Sequence, residues 1–197
     1  MGQWILLGLA VVVVVFAIAV YNRLVTLKNR FKNAFAQIDV QLQRRHDLVP
    51  NLVESAKAYM THERETLTQV TEARNQAESA REAAKDSPDN ANAVAELGRA
   101  ESMLSGSLAN FFALSEDYPE LKANENISQL MEELTSTENR LGFARQAFND
   151  AVMNYNTYRE QFPNNIVANV LGNFQEAELL RIETPEARKR PDVDFSG

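Results

Sequence analysis

The chain contains no cysteine. That excludes a disulfide framework, a lipoprotein-type lipidation site and a thiolate metal centre. It has only two histidines, His46 and His62, and neither stands at a metal-pair spacing. His62-Glu63-Arg64-Glu65 lacks the second histidine of a zincin motif, so both histidines read as solvated helix-face or turn residues. Glycine and proline are scarce, at 7 and 6 of 197 residues, and fall mostly between apolar-periodic stretches. Runs of alternating β-branched residues bounded by turns are missing, so strands are not expected. Glycine-rich phosphate loops, nucleophile elbows and kinase signatures are absent. At a net charge of −7 the chain also lacks the basic excess that nucleic acid would demand of a partner. The expectation is an all-α, non-enzymatic protein with no cofactor, no metal and no nucleic-acid partner.

Long apolar runs are missing too, with one exception. Trp4 to Tyr21 is uncharged and apolar throughout. As a helix this run rises about 27 Å, close to the roughly 30 Å of a bilayer's hydrocarbon core. Trp4 and Tyr21 stand at its two ends, where amphipathic rings favour the headgroup level. A cleavable signal peptide is the rival reading, and Ala17-Ile18-Ala19 resembles a cleavage site. Met1-Gly2-Gln3 carries no Lys or Arg, however, and the apolar run is longer than a usual signal core, which favours an uncleaved anchor. After the run come Arg23, Lys28, Arg30 and Lys32, with no acid before Asp39. This bias puts the body in the cytoplasm and residues 1–3 outside, with Trp4, Tyr21, Arg23 and Lys28 as the anchor residues.

The rest reads as long helices. Leu24, Leu27, Phe31, Phe35, Ile38 and Leu42 recur at spacings of three and four. Pro50 marks the next boundary, with Asp47 as the N-cap of a second helix over Leu48–Lys85 and a kinked continuous helix as the alternative. That helix becomes alanine-rich beyond Val70, which predicts a thin or frayed end. Self-association through these alanines is one reading; simple packing against the third helix is the other. A third helix is expected over Ala91–Glu116. A fourth begins at Asn126, with Gln129 as its capping-box partner, and carries the strongest seam in the chain. The seam runs Ile127, Leu130, Leu134, Thr137, Leu141, Ala144, Phe148, Ala151, Tyr155, Tyr158 and Phe162, for about five heptads. Short connections imply an antiparallel four-helix bundle over residues 22–163, which returns residue 163 to the membrane side. Residues 164–197 form a membrane-proximal segment and a tail. Ile166–Phe174 is apolar but too short to span, and Glu183–Gly197, with Arg188-Lys189-Arg190, reads as flexible.

Several stretches resemble the LemA family of bacterial membrane-anchored proteins. They include Asn33-Ala34-Phe35-Ala36-Gln37-Ile38-Asp39-Val40-Gln41-Leu42 and Arg44-Arg45-His46-Asp47-Leu48-Val49-Pro50-Asn51-Leu52-Val53. Tyr118-Pro119-Glu120-Leu121, Thr137-Glu138-Asn139-Arg140, Tyr155-Asn156, Phe162-Pro163-Asn164-Asn165 and Pro191-Asp192-Val193-Asp194-Phe195 follow in order. Residues 172–190 depart from the family pattern, which usually has a second aromatic after Leu-Gly. The resemblance implies a transmembrane helix with its N-terminus outside and a helical body in the bacterial cytoplasm. It implies no enzymatic activity or cofactor.

Among the carboxylates, only Glu63 is isolated in an apolar stretch; it falls on the second helix's apolar phase, where a pairing with Arg44 or Arg45 would offset its burial. Arg44 and Arg45 read as a solvated or ion-paired face, with a docking patch for an acidic partner as the sharper alternative. Two function classes remain. One is a membrane-tethered interaction module or scaffold, which binds other membrane proteins or a second copy of itself. The other is a membrane-surface sensor or remodeller, which would use 166–174 with Arg188, Lys189 and Arg190 on anionic lipid.

Overall fold

The computed structural model describes residues 1–170 and 174–182. Among them are six helices and no strand: α1 (Gly2–Ala56), α2 (Arg64–Asp86), α3 (Ala91–Ser115), α4 (Pro119–Ala123), α5 (Glu125–Glu160) and α6 (Asn164–Val170). The all-α expectation holds. Residues 174–182 follow as an extended segment.

The boundary expected at Pro50 is not there. α1 passes through Pro50 and ends at Ala56, so residues 48–56 belong to it and Asp47 caps nothing. Proline deprives the carbonyl four residues back of its donor. Here that carbonyl is His46's, and the Arg74 Nε–H of α2 donates to it at 3.1 Å. The break comes instead at 57–63, a stretch without Gly or Pro, where Met60 is fully buried.

α1 changes character along its length. Residues 1–16 are exposed on all sides, whereas Val20, Leu24, Leu27, Phe31, Phe35, Ile38 and Leu42 are buried at three-four spacing. α2 folds back along α1: His46 meets Glu78, Asp39 meets Arg81, and Lys28 and Lys32 meet Asp89. Its alanine-rich end is not frayed: the helix runs to Asp86, with Ala73, Ala77, Ala80 and Ala84 buried within the chain. Packing is extensive between α2 and α3. Asn90 caps α3, its side chain accepting from the Asn92 and Ala93 amides.

Asn124, not Asn126, caps α5, accepting from the Asn126 and Ile127 amides. Its Nδ2 also donates to the Tyr59 hydroxyl at 3.0 Å. α5 then pairs with α1 over its whole length. Arg45 meets Glu138, Phe35 meets Phe148, and Phe31 meets Tyr155. The seam read from the sequence is the packed face, with Leu134, Thr137, Leu141, Phe148, Ala151 and Tyr155 buried and Val152 beside them. Phe162 leaves the seam: the helix ends at Glu160, and Phe162 is 81% exposed. Phe31 and Phe35 meet Phe148 and Tyr155 edge-on at centroid distances of 5.2–6.3 Å, a favoured aromatic geometry.

Candidate functional site

The helices bring together a group of charges inside the body. Arg45 and His46 stand on α1 between Leu42 and Val49, at core phase. Glu101 stands on α3 between Leu97 and Leu104, also at core phase. His46 and Glu101 are fully buried, and Arg45 is 3% exposed. Arg45 donates through Nη1 to Glu101 Oε2 at 2.9 Å and through Nη2 to the Ser105 hydroxyl at 2.8 Å. Glu138 of α5 lies 3.4 Å from the same Nη2.

His46 lies between two carboxylates. Its Nε2 is 2.7 Å from Glu101 Oε1, and its Nδ1 is 3.0 Å from Glu78 Oε2. Each ring nitrogen is thus within hydrogen-bond distance of a carboxylate, one from α2 and one from α3. Arg81 extends the network, donating to Glu78 at 2.8 Å and to Asp39 at 2.6 Å. Burial alone would raise the Glu78 carboxyl, but the hydrogen bond from Arg81 and the charges of Arg81, His46 and Arg74 outweigh it and hold it low. Burial likewise opposes the Arg81 charge, and Glu78 and Asp39 outweigh that too. Asp39, Glu78, Glu101 and Glu138 thus face Arg45, Arg74, Arg81, Lys85 and His46.

A substrate cannot touch His46 or Glu101, because neither is exposed. A cavity of about 510 Å³ opens elsewhere, at the turn between α1 and α2, lined by Val53, Met60, Arg64, Leu67 and their neighbours. A second, of about 390 Å³, is lined by Lys28, Phe31, Asp89, Tyr155 and Gln175. Among the described residues, no group of three or more His, Asp or Glu side chains could hold a metal ion. The network links α1, α2, α3 and α5, and removing one partner of its buried Arg45–Glu101 pair would leave the other's charge unmatched.

A second construction holds the extended segment. Asn149 and Asn156 lie two turns apart on α5. Asn149 accepts from the Leu180 amide at 2.9 Å and donates to its carbonyl at 3.1 Å. Asn156 does the same for Ala177, at 3.0 and 2.8 Å. The Tyr155 hydroxyl donates to the Gln175 carbonyl at 2.8 Å, and burial pushes its phenol up to about 12, so it stays a donor. Arg145 donates to the Ile182 carbonyl at 2.8 Å. On α3, a Cβ at Gly98 would come within 2.6 Å of the Arg181 carbonyl oxygen, so only glycine admits the crossing. Phe174, Ala177, Leu180 and Ile182 are buried beneath.

The residues singled out from sequence fall in several places. Trp4 is exposed on the apolar stretch of α1, and Arg23 is exposed just beyond it. Tyr21 rests its ring edge-on against Phe174 at 5.3 Å. Lys28 bonds Asp89 together with Lys32, both at 2.8 Å. Arg44 is at the surface, 3.6 Å from Glu133, but Arg45 turns inward and offers nothing to a partner. His46 is not solvated, in contrast to His62, which is exposed. Glu63 does not meet either arginine; it accepts from the Tyr118 hydroxyl at 3.0 Å. Arg188, Lys189 and Arg190 lie outside the described residues.

A helical body whose first helix begins with an uncovered apolar stretch, long enough to cross a membrane, is the class these features define. The chain belongs to the LemA family, whose model matches residues 34–195. No curated protein matches it.

Proposed function

We propose that this chain is a membrane-anchored, non-enzymatic scaffold whose helical body presents its faces to other membrane-associated proteins. One observation carries the reading. α1 is a single helix of 55 residues whose first part has no cover, while its second part is the core element of the body. An apolar helix surface left bare in water is unfavourable, and a bilayer removes that cost. The four long helices then form an antiparallel bundle that stands on the cytoplasmic face of a bacterial inner membrane. Arg23 and Lys28 lie just inside, and residues 1–3 lie outside.

The scaffold part of the reading is supported by what the interior is built for. The buried charges fix one register and are closed to substrate. Exposed apolar side chains at Val40, Met103, Phe143 and Met153 leave points on the outer faces where a partner could seat. The test is photo-crosslinking of the full chain in its native membrane, with the reactive group placed singly at Met103, Phe143 or Met153. Discrete adducts at one face, lost when residues 1–21 are removed, are expected. Absence of adducts at all three positions would contradict a scaffold role.

A further inference from the structure

The turn after α5 and the short helix α6 leave one apolar face unpaired. Ile166 and Val170, one turn apart on α6, are 54% and 75% exposed, and Phe162, in the turn before it, is 81% exposed. The opposite face is packed: Asn164 and Ala168 are buried, and Asn164 Nδ2 donates to the Tyr158 carbonyl at 3.1 Å. The face is therefore not a helix waiting for the body, because the body already holds its other side.

Its height relative to the anchor follows from the pairing of α5 with α1. Tyr155 meets Phe31 edge-on. Five further residues of α5 advance about 7.5 Å, which brings Glu160 beside about residue 26 of α1. Past Glu160, α6 packs against α1, and the Phe174 ring reaches Tyr21, where the apolar run ends. The turn with Phe162 and the helix α6 thus stand at the Tyr21 end of the α1–α5 pairing, near the end of the apolar stretch.

We infer that α6 is a foot on the membrane: Phe162, Ile166 and Val170 insert into the lipid interface beside the anchor. This rests on α1 being the anchor. Lipid is the occupant favoured over a second copy because the patch stands near Tyr21, where the bare apolar stretch that a bilayer must already cover comes to its end. The contact is apolar rather than electrostatic. Glu160 and Glu176 flank the same level, and Arg159 lies 3.5 and 3.6 Å from them. Zwitterionic lipid therefore suffices, and salt has little effect. Two contacts, the span and the foot, would fix the tilt of the body on the membrane, which a single helix does not.

The chain's lack of cysteine makes the test direct. Ile166→Cys and Val170→Cys each give one site for an environment-sensitive fluorophore, and Phe143→Cys, on an exposed position about 30 Å farther along the body, gives the control. The full-length labelled chains are placed in phosphatidylcholine vesicles carrying a nitroxide near the headgroup. Trp4, the sole tryptophan, reports the anchor in the same sample. Labels at 166 and 170 should be quenched several-fold more than at 143, equally at low and high salt. If Trp4 is quenched while 166 and 170 behave like 143, the foot is refuted and the anchor stands. If neither Trp4 nor the labels are quenched, both readings fall. A blue-shifted but unquenched label at 166 or 170 means that protein covers the face, which also refutes the lipid assignment.

Discussion

Glu101 has no exposed surface, and the Arg45 guanidinium at 2.9 Å and the His46 ring at 2.7 Å converge on it. Deleting one partner of such a buried pair typically costs about 3–5 kcal/mol, because the other charges stay behind unmatched. Glu101→Leu should cost that much in chemical unfolding of the full chain in detergent. Glu54→Ala, which breaks an exposed pair with Lys57, should stay within about 0.5 kcal/mol. Similar losses for the two would show that the buried network is not what holds the register. Asp89 carries a second expectation. Burial alone would raise its carboxyl, but hydrogen bonds from Lys28 and Lys32 outweigh it and hold it at about 2. The folded value lies below the unfolded one, so the contribution is complete above the ordinary carboxylate range and fades as pH falls from about 4 toward 2. The side chain is a third exposed, so screening limits the effect to about 1 kcal/mol. Stability curves of the parent and Asp89→Asn should differ by that much at neutral pH and converge toward pH 2; a constant gap would contradict the ion-pair origin. These charges were legible in part. Arg45, His46 and Glu101 interrupt apolar seams at core phase, a signal that a search limited to ligand spacings passes over. Their partners come from other helices, and helix periodicity does not say which helices meet.

At the scale of elements, the apolar spacing located α3 and α5 and the buried face of α1, because three-four periodicity reports burial directly. It misplaced the end of α1. Pro50 has the chemistry of a helix boundary, and only Arg74 of another helix cancels it. The extended segment was illegible for a related reason: the residues that hold it, Asn149, Asn156 and Gly98, lie on helices distant in sequence. Two expectations belong here. Phe148 is fully buried at the centre of the α1–α5 contact, so Phe148→Ala should cost about 3–5 kcal/mol, whereas the exposed Glu160→Ala should change little. Matching effects in thermal unfolding would show the packed face of α5 to be misassigned. The segment itself is tested by hydrogen exchange, since the Ala177 and Leu180 amides donate to asparagine side chains. Those two amides should exchange slowly in the parent and quickly in the Asn149→Ala, Asn156→Ala double variant. Gly98→Ala should speed exchange around Arg181 by pushing its carbonyl away. Unchanged exchange in both variants would mean that burial of Leu180 and its neighbours holds the segment without these contacts.

The molecule as a whole is organised about α1. Its far part gathers α2, α3 and α5 around aromatic and aliphatic side chains, and its near part projects bare. Stiffness follows from continuity: a helix without a break between the bare apolar stretch and the core carries the orientation of one to the other. The apolar run and the cations behind it were plain in the sequence, because transfer of charge into lipid is costly and leaves a long uncharged window. The direction in which the body faces is the proposal on which the scaffold reading most depends. Accessibility of single cysteines in intact spheroplasts tests it most directly, using Gly2→Cys at the N-terminus and His62→Cys on the exposed turn between α1 and α2. A membrane-impermeant maleimide should label position 2 at once and position 62 only after the membrane is opened. Labelling of position 62 in intact spheroplasts, with position 2 protected, would place the body outside and contradict the proposed topology.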